Sequence, residues 1–280
     1  MDIVLGLGAA LTYGAADFVG GFVTRRTHVL AVVLGSQLVG AVALAVVMPA
    51  LVDEPATRGA LAWGAASGLA GAIGVMFLYR GLAVGRMSVV APVTAVVAAT
   101  LPVIFGLVVG ERPPGVALAG VAVALVAIGL ISRPAPSDRR DPEGSDSGVG
   151  LALVAGVGFA AFFILLERAG PTAGLWPLVG ARASSILLTG ALALLTSAPL
   201  RPAAGTARPI AVVGLLDGAA NVLYLFATQR GLLSLVAVLT SMYPATTVLL
   251  ARFLLGERLT RLRAAGLAVA ATAVALMAAG

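Results

Sequence analysis

Apolar runs of about 20 residues follow one another along this chain, with only short polar segments between them. A helix that crosses the ~30 Å hydrocarbon core of a bilayer needs about 20 apolar residues. Ten runs of this kind can be read, at about 3–23, 29–49, 60–79, 88–109, 115–132, 149–166, 175–198, 209–229, 234–255 and 264–279. They leave no loop long enough for a soluble domain. We therefore predict an all-α integral membrane protein with ten transmembrane helices.

Composition supports the same class and excludes several others. Hydrophobic residues make up 60% of the 280 and charged residues only 11%, whereas about a quarter of the residues in soluble domains are charged. Cysteine and lysine are absent and His28 is the only histidine. These absences argue against a thiolate metal site, a histidine-dependent catalytic triad and a lysine-containing phosphate loop. We expect no catalytic residues, no metal, no cofactor and no nucleic-acid partner.

The arginines between the apolar runs predict an orientation. Twelve lie in the odd-numbered loops and four in the even-numbered loops. Cytoplasmic loops are enriched in basic residues. We expect the odd-numbered loops in the cytoplasm, both termini outside, and the plasma (inner) membrane as the location.

The longest polar stretch, 133–148, divides the chain into halves of five runs each, 1–132 and 149–280. We interpret the stretch as a cytoplasmic linker. Residues 88–112 and 234–258 match at nine of 25 positions without a gap, including the closing Gly-Glu-Arg. Since each half has an odd number of spans, the second copy would enter the membrane from the opposite side. Such inverted repeats are typical of alternating-access transporters.

The repeats, the Gly-Glu-Arg after spans 4 and 9, and the Tyr243-Pro244 pair in span 9 resemble the EamA-like transporters of the drug/metabolite transporter superfamily. The resemblance covers essentially the whole chain. It implies a secondary carrier or exporter of small metabolites, amino acids or drugs, with a central cavity among spans 1, 3, 4, 6, 8 and 9. One departure is that Val97-Ala98 replaces the Tyr-Pro pair in the first repeat.

Ionisable residues inside the spans are candidates for function, because each costs about 2.5–3.5 kcal/mol near the centre of a membrane helix on insertion scales. Asp17 lies in span 1, Arg182 in span 7 and Asp217 in span 8. Asp217, Asn221 and Tyr224 share one helical face by their spacing. Counted from the outer side, the two aspartates lie at similar depth and Arg182 roughly 7–10 Å higher.

Two chemical roles stay open for these groups. Repulsion between two carboxylates in a low-dielectric cavity would favour a proton on one of them, which suits proton-coupled export; the proton is thus a candidate coupling ion. The carboxylates would alternatively bind an amine or the ammonium group of an amino acid, and Arg182 a carboxylate. The competing structural interpretation is an Arg182–Asp217 pair beside a solvated Asp17, with Gln37 at the position in span 2 that parallels Arg182.

Prolines in spans 4 and 9 indicate further candidates. A proline leaves a backbone carbonyl without its helical partner, and in a membrane that carbonyl needs water, a side chain or a ligand. The predicted gating positions are Pro92, Pro102 and Pro244. The predicted substrate-binding residues are Tyr13, Asp17, Thr94, Arg182, Asp217, Asn221, Tyr224, Thr240 and Tyr243.

We therefore predict a secondary active transporter, an exporter of small molecules that works by alternating access. Its partners would be a small-molecule substrate and membrane lipid. The two fused halves are expected to function as a single chain, with a dimer as the open alternative. The alternative function is a polytopic membrane enzyme or flippase that acts on a lipid-linked substrate.

Overall fold

The protein is described here from a computed structural model that covers residues 1–51, 55–84, 87–131, 145–254 and 260–279. The described chain is 84% helical. In chain order the helices are α1 (Asp2–Thr24), α2 (Val29–Leu51), α3 (Arg58–Val84), α4 (Met87–Val108), α5 (Gly115–Ile131), α6 (Ser145–Glu167), α7 (Trp176–Leu195), α8 (Ala207–Thr228), α9 (Leu233–Thr240), α10 (Tyr243–Leu254) and α11 (Arg261–Ala279).

The prediction of an all-helical membrane protein is confirmed, and the number of spans is confirmed in part. Eight helical segments are long and apolar enough to cross a membrane, one of them combining α9 and α10. Two further apolar segments, Val93–Val108 and Gly115–Ile131, are shorter than 18 residues. Most of the predicted linker 133–148 and the second Gly-Glu-Arg at 256–258 lie outside the described residues.

The outer surfaces of the helices are apolar, while polar groups lie inside. Leu187, Leu194 and Leu195 on α7 are 72–82% exposed, whereas Arg182 on the same helix is buried at 6%. A water-soluble helix has the opposite arrangement. The pattern indicates that hydrocarbon surrounds the bundle.

Helices of the two halves pack against each other in equivalent pairs. α1 packs on α8, and α6, which corresponds to α1 in the second half, packs on α3, which corresponds to α8. Helix α5 likewise packs on α11, the last helix of the second half. The core is therefore built between the halves rather than within each of them.

Glycines on α3 allow this close approach. A Cβ atom on Gly64 would lie 2.7 Å from Cα of Pro177, and one on Gly68 would lie 2.5 Å from Cα of Ala181. Small residues let membrane helices come into backbone contact. α3 therefore lies directly against α7, which brings Arg182 toward the centre of the bundle.

Span 9 is interrupted, whereas α4 is not. α9 ends at Thr240, Ser241 and Met242 form a turn, and α10 starts at Tyr243. Pro244 is the second residue of α10, where its missing N–H disrupts no helical bond. α4 continues as α-helix through the predicted gating positions Pro92 and Pro102. Among the described spans 4 and 9, only the second-half copy has a break.

Candidate functional site

A cavity lies at the centre of the bundle, between helices of both halves. It has a volume of about 70 Å³. Its wall combines α1, α2 and α3 of the first half with α6, α7, α8 and α10 of the second. The polar residues that line it are Tyr13, Asp17, Ser36, Gln37, Tyr79, Arg182, Ser185, Asp217, Asn221 and Tyr243.

Five of these side chains form a continuous polar network across four helices. Nη1 of Arg182 lies 2.7 Å from Oδ2 of Asp217 and donates a hydrogen bond to Oε1 of Gln37. Nδ2 of Asn221 donates to Oδ2 of Asp217 at 3.1 Å. The hydroxyl of Tyr13 donates to Oδ1 of Asn221. The network thus joins α1 and α2 of the first half to α7 and α8 of the second.

The ion pair at the centre of the network is largely shielded from solvent. The side chains of Arg182 and Asp217 are 8% and 21% exposed. Removing one partner of a buried ion pair typically costs about 3–5 kcal/mol, because the other charge is left uncompensated. The pair therefore holds α7 and α8 together as well as facing the cavity.

Asp17 stands apart from this network although it lines the same cavity. Within the described part of the chain, its carboxylate accepts no hydrogen bond and forms no ion pair. It lies one helical turn after Tyr13 on α1. The structure thus separates the two aspartates chemically: Asp217 is paired with a cation, and Asp17 is not.

Aromatic rings form much of the remaining wall. Phe159, Phe162 and Phe163 of α6 line the cavity. The rings of Tyr13 and Phe163 make an edge contact with centroids 6.3 Å apart. Gly71 and Gly74 of α3 provide the space for Phe162 and Phe159, whose ring atoms lie within 3 Å of the position a Cβ would occupy.

Tyr79 is a lining residue that the sequence analysis missed. Its position near the end of span 3 is typical of an interfacial aromatic anchor. In the structure it is buried at 3% and faces the cavity. Its ring packs on Gly20, whose absent Cβ would lie 2.6 Å from Cζ of the tyrosine. The glycine pair at 20–21 was the sequence signal for such an approach.

Three predicted substrate-binding residues lie outside the cavity wall. The hydroxyl of Thr94 donates to the carbonyl of Ala152 at 3.2 Å and joins α4 to α6. The hydroxyl of Tyr224 donates to the carbonyl of Phe163 at 3.1 Å. Thr240 is fully buried at the end of α9. The structure thus gives Thr94 and Tyr224 packing roles, and the other six predicted residues line the cavity.

Glu111 in the first Gly-Glu-Arg motif joins the two halves away from the cavity. Its carboxylate accepts hydrogen bonds from the backbone N–H groups of Leu233 at 2.7 Å and Ser234 at 3.0 Å. These are the first two residues of α9, where a helix has N–H groups without intrahelical partners. The motif at the end of span 4 therefore caps the broken span 9. Glu257, its counterpart in the second half, lies outside the described residues.

A helical bundle with apolar outer faces and a polar central cavity is a multi-pass membrane protein whose interior can hold a small polar solute. The sequence profile of the EamA-like transporter family matches residues 1–133 and 146–279, once in each half. The chain belongs to the EamA-like transporter family, as its repeats and motifs indicated.

Comparison with solved structures supports the fold. The match to one crystal structure of a protein covers 98% of this chain and 95% of that protein's chain. It superposes with a TM-score of 0.72 at 20% sequence identity. No curated protein matches the chain significantly. The fold of the whole chain is thus shared with a solved protein, while the chemistry of the cavity has to be argued from its own residues.

Proposed function

We propose that this protein is a secondary active transporter that exports a small polar metabolite by alternating access through the central cavity. The observation that carries the proposal is the network from Tyr13 and Gln37 of the first half to Arg182, Asp217 and Asn221 of the second. A charged network at the interface of two repeats is where transporters of this architecture bind substrate. The apolar outer faces suit contact with membrane lipid. Both repeats lie in one chain, which suits a protein that acts as a single chain.

The two halves supply the parts that alternating access needs. With ten spans, the second half would have the opposite orientation in the membrane, and rocking one repeat against the other would open the cavity to either side in turn. The interruption between Thr240 and Tyr243 is next to the cavity, because Tyr243 is a lining residue. An interrupted helix bends more readily than a continuous one, so this turn is a suitable hinge.

Asp17 is the group best placed to couple transport to protons. It has no cation beside it among the described residues and lines the cavity. A carboxylate in a low-dielectric site exchanges a proton when a cation enters or leaves. Proton entry would then accompany substrate exit. The cytoplasmic position of the odd-numbered loops remains part of this proposal, since it sets the direction of the proton gradient relative to the chain.

A comparison of metabolites tests the proposal. Cells that overproduce the wild type, Asp17→Asn or Asp2→Asn are compared by mass spectrometry of the medium and the cytoplasm. Asp2 is a matched control because it lies on α1 as Asp17 does but does not line the cavity. We expect one or more compounds to accumulate outside with the wild type and Asp2→Asn, and less with Asp17→Asn.

The compound is then loaded into proteoliposomes with and without a pH gradient. Efflux that depends on the gradient supports proton coupling, and gradient-independent efflux overturns it. If all three proteins reach the membrane and no compound differs between cells with and without the protein, export of a cytoplasmic metabolite is wrong.

One observation favours a second candidate, a flippase for an amphipathic lipid-linked substrate. An apolar groove with a volume of about 590 Å³ lies between α2 and α7, and its residues include Leu44, Met48 and Ile186. Arg182 contributes to both the groove and the central cavity. An acyl chain in the groove would place its polar end near that guanidinium. Movement of a fluorescent lipid between the leaflets of proteoliposomes tests this candidate directly.

A further inference from the structure

The charge of the central cavity and the residues in its wall indicate which kind of molecule it binds. Among the described residues, three groups that can carry a full charge line it: Asp17, Arg182 and Asp217. When both aspartates are ionised, they contribute two negative charges against the one positive charge of the arginine. The negative charge without a partner then belongs to Asp17, because Asp217 is paired with Arg182 at 2.7 Å.

The guanidinium group of Arg182 is already bound by other side chains of the protein. Its Nη1 atom contacts both Asp217 and Gln37. Its guanidinium carbon also packs on α2, 2.9 Å from the position a Cβ on Gly40 would occupy. A substrate carboxylate would have to compete with Asp217 for this cation, and breaking a buried pair is costly. The arrangement therefore disfavours an anionic ligand.

Aromatic residues surround the space around Asp17. Tyr13 precedes Asp17 by one helical turn, and Tyr79 packs on Gly20, one turn after it. Gly14 allows α10 to approach α1, since a Cβ there would lie 2.6 Å from Cβ of Thr246. Tyr243, at the start of α10, thereby reaches the same cavity. Aromatic faces attract cations that lie within about 6 Å of the ring centre.

Among the described residues, two buried hydroxyl groups in the wall have no hydrogen-bond partner. They are Oη of Tyr243 and Oγ of Ser185, and both are inaccessible. Buried polar groups are nearly always hydrogen-bonded in proteins. Both residues line the cavity, so a polar group of a bound molecule would complete their hydrogen bonding after a small adjustment of the wall.

We infer that the cavity binds a small organic monocation, an amine with an aromatic or apolar body, whose ammonium group pairs with Asp17. This inference rests on the proposed transport function and specifies its substrate class. The wall agrees with an amine that has an apolar body, because the rings of Phe159, Phe162 and Phe163 line the same cavity as Asp17. Zwitterions and anions are the classes it rejects.

A panel of probes with one ring and different charges tests the inference. The probes are 2-phenylethylamine, phenylalanine, 3-phenylpropionate and 2-phenylethanol, which are cationic, zwitterionic, anionic and neutral. Binding to the purified full-length protein in detergent is measured by isothermal titration calorimetry. We expect the amine to bind at least about tenfold more tightly than the other three, which is ~1.4 kcal/mol.

Variants of Asp17 test whether its carboxylate is the counter-ion of the bound amine. Asp17→Asn should lose about tenfold or more in amine affinity, as expected for loss of a charge-assisted contact. Asp2→Asn, on the same helix outside the cavity, should bind the amine as the wild type does. Monodisperse elution of each variant on size exclusion shows that it is folded. Should Asp17→Asn be misfolded, Asp17→Glu replaces it and should retain the preference for the amine.

Each other result overturns the inference. Tighter binding of the zwitterion or the anion would mean that Arg182 is the recognition group. Equal binding of the amine by the wild type and Asp17→Asn would remove Asp17 from the site, and binding of none of the four probes would exclude the aromatic amine class. Failure of the proposed transport function gives a different result. In that case the protein would bind the amine, but no efflux from proteoliposomes would be seen.

Discussion

Nη1 of Arg182 lies 2.7 Å from Oδ2 of Asp217, and this contact joins α7 to α8 inside an apolar bundle. Both residues line the cavity, and Arg182 also lines the groove between α2 and α7. The structural and functional interpretations of these residues are thus both compatible with the geometry. What distinguishes them is how stability and transport respond when the two side chains are changed separately and together.

Replacing Arg182 or Asp217 alone should destabilise the protein more than replacing both residues together. Arg182→Met and Asp217→Leu should each destabilise the protein by about 3–5 kcal/mol, because each leaves a buried charge without its partner. The double variant should recover part of this loss. Thermal unfolding in detergent measures all three. Arg230→Met, at an exposed arginine, should change stability by no more than about 0.5 kcal/mol. Additive losses in the double variant would show that the pair contributes nothing as a pair.

Two glycines of α3 should respond oppositely to alanine. Gly64→Ala should destabilise the protein by about 1–3 kcal/mol, since the new methyl group would overlap the backbone of Pro177. A Cβ on Gly59 meets no atom within 4 Å. Gly59→Ala should therefore be neutral or more stable by up to about 1 kcal/mol. Thermal unfolding in detergent compares the two. Equal effects would contradict direct backbone contact between α3 and α7.

The capping of α9 by Glu111 should contribute measurably to the free energy of unfolding. Glu111→Ala should cost about 2 kcal/mol, because two backbone N–H groups lose a charged acceptor. Glu111→Gln should have an intermediate cost, since its amide oxygen can still accept one of the bonds. The matched control is Glu167→Ala, which removes a half-buried carboxylate at the end of α6. Equal losses at the two positions would argue against the capping role.

Two buried tyrosine hydroxyls should separate transport from stability. Tyr13→Phe removes a cavity hydroxyl that bonds to Asn221, whereas Tyr224→Phe removes one that bonds to the carbonyl of Phe163 outside the cavity. At equal amounts in the membrane, we expect Tyr13→Phe to lower efflux of the exported compound. Tyr224→Phe should leave efflux unchanged and lower stability by about 1 kcal/mol. The reverse result would mean that the transport pathway passes Tyr224 rather than Tyr13.

Physical cost was one guide in choosing candidate site residues from the sequence, and the residues it selected lie in the cavity wall. Asp17, Arg182 and Asp217 were chosen because ionisable groups are expensive in a bilayer, and all three line the cavity. Asn221 was found by helical spacing from Asp217, and its amide does bond to that carboxylate. In each case a local rule was sufficient, since the cost or the spacing belongs to one helix.

Repeat symmetry did not decide which residues line the cavity. Thr94 and Thr240 match in the alignment of the halves, yet neither lines the cavity. α4 is continuous through Pro92 and Pro102, whereas span 9 is interrupted just before Pro244. Equivalent positions can thus differ in structure, because the side chains around them differ between the two copies.

The sequence by itself determined the fold class, the two family repeats and the identity of the intramembrane charges. Apolar length and the cost of burying charge are properties of single segments, so they can be read without coordinates. Only the tertiary structure decided which charges are paired. Arg182 and Asp217 are 35 positions apart, Gln37 and Tyr13 lie in the other half, and their contacts depend on how α1, α2, α7 and α8 pack. That packing leaves Asp17 as the cavity carboxylate without a cation beside it among the described residues, because Arg182 in the same wall pairs with Asp217.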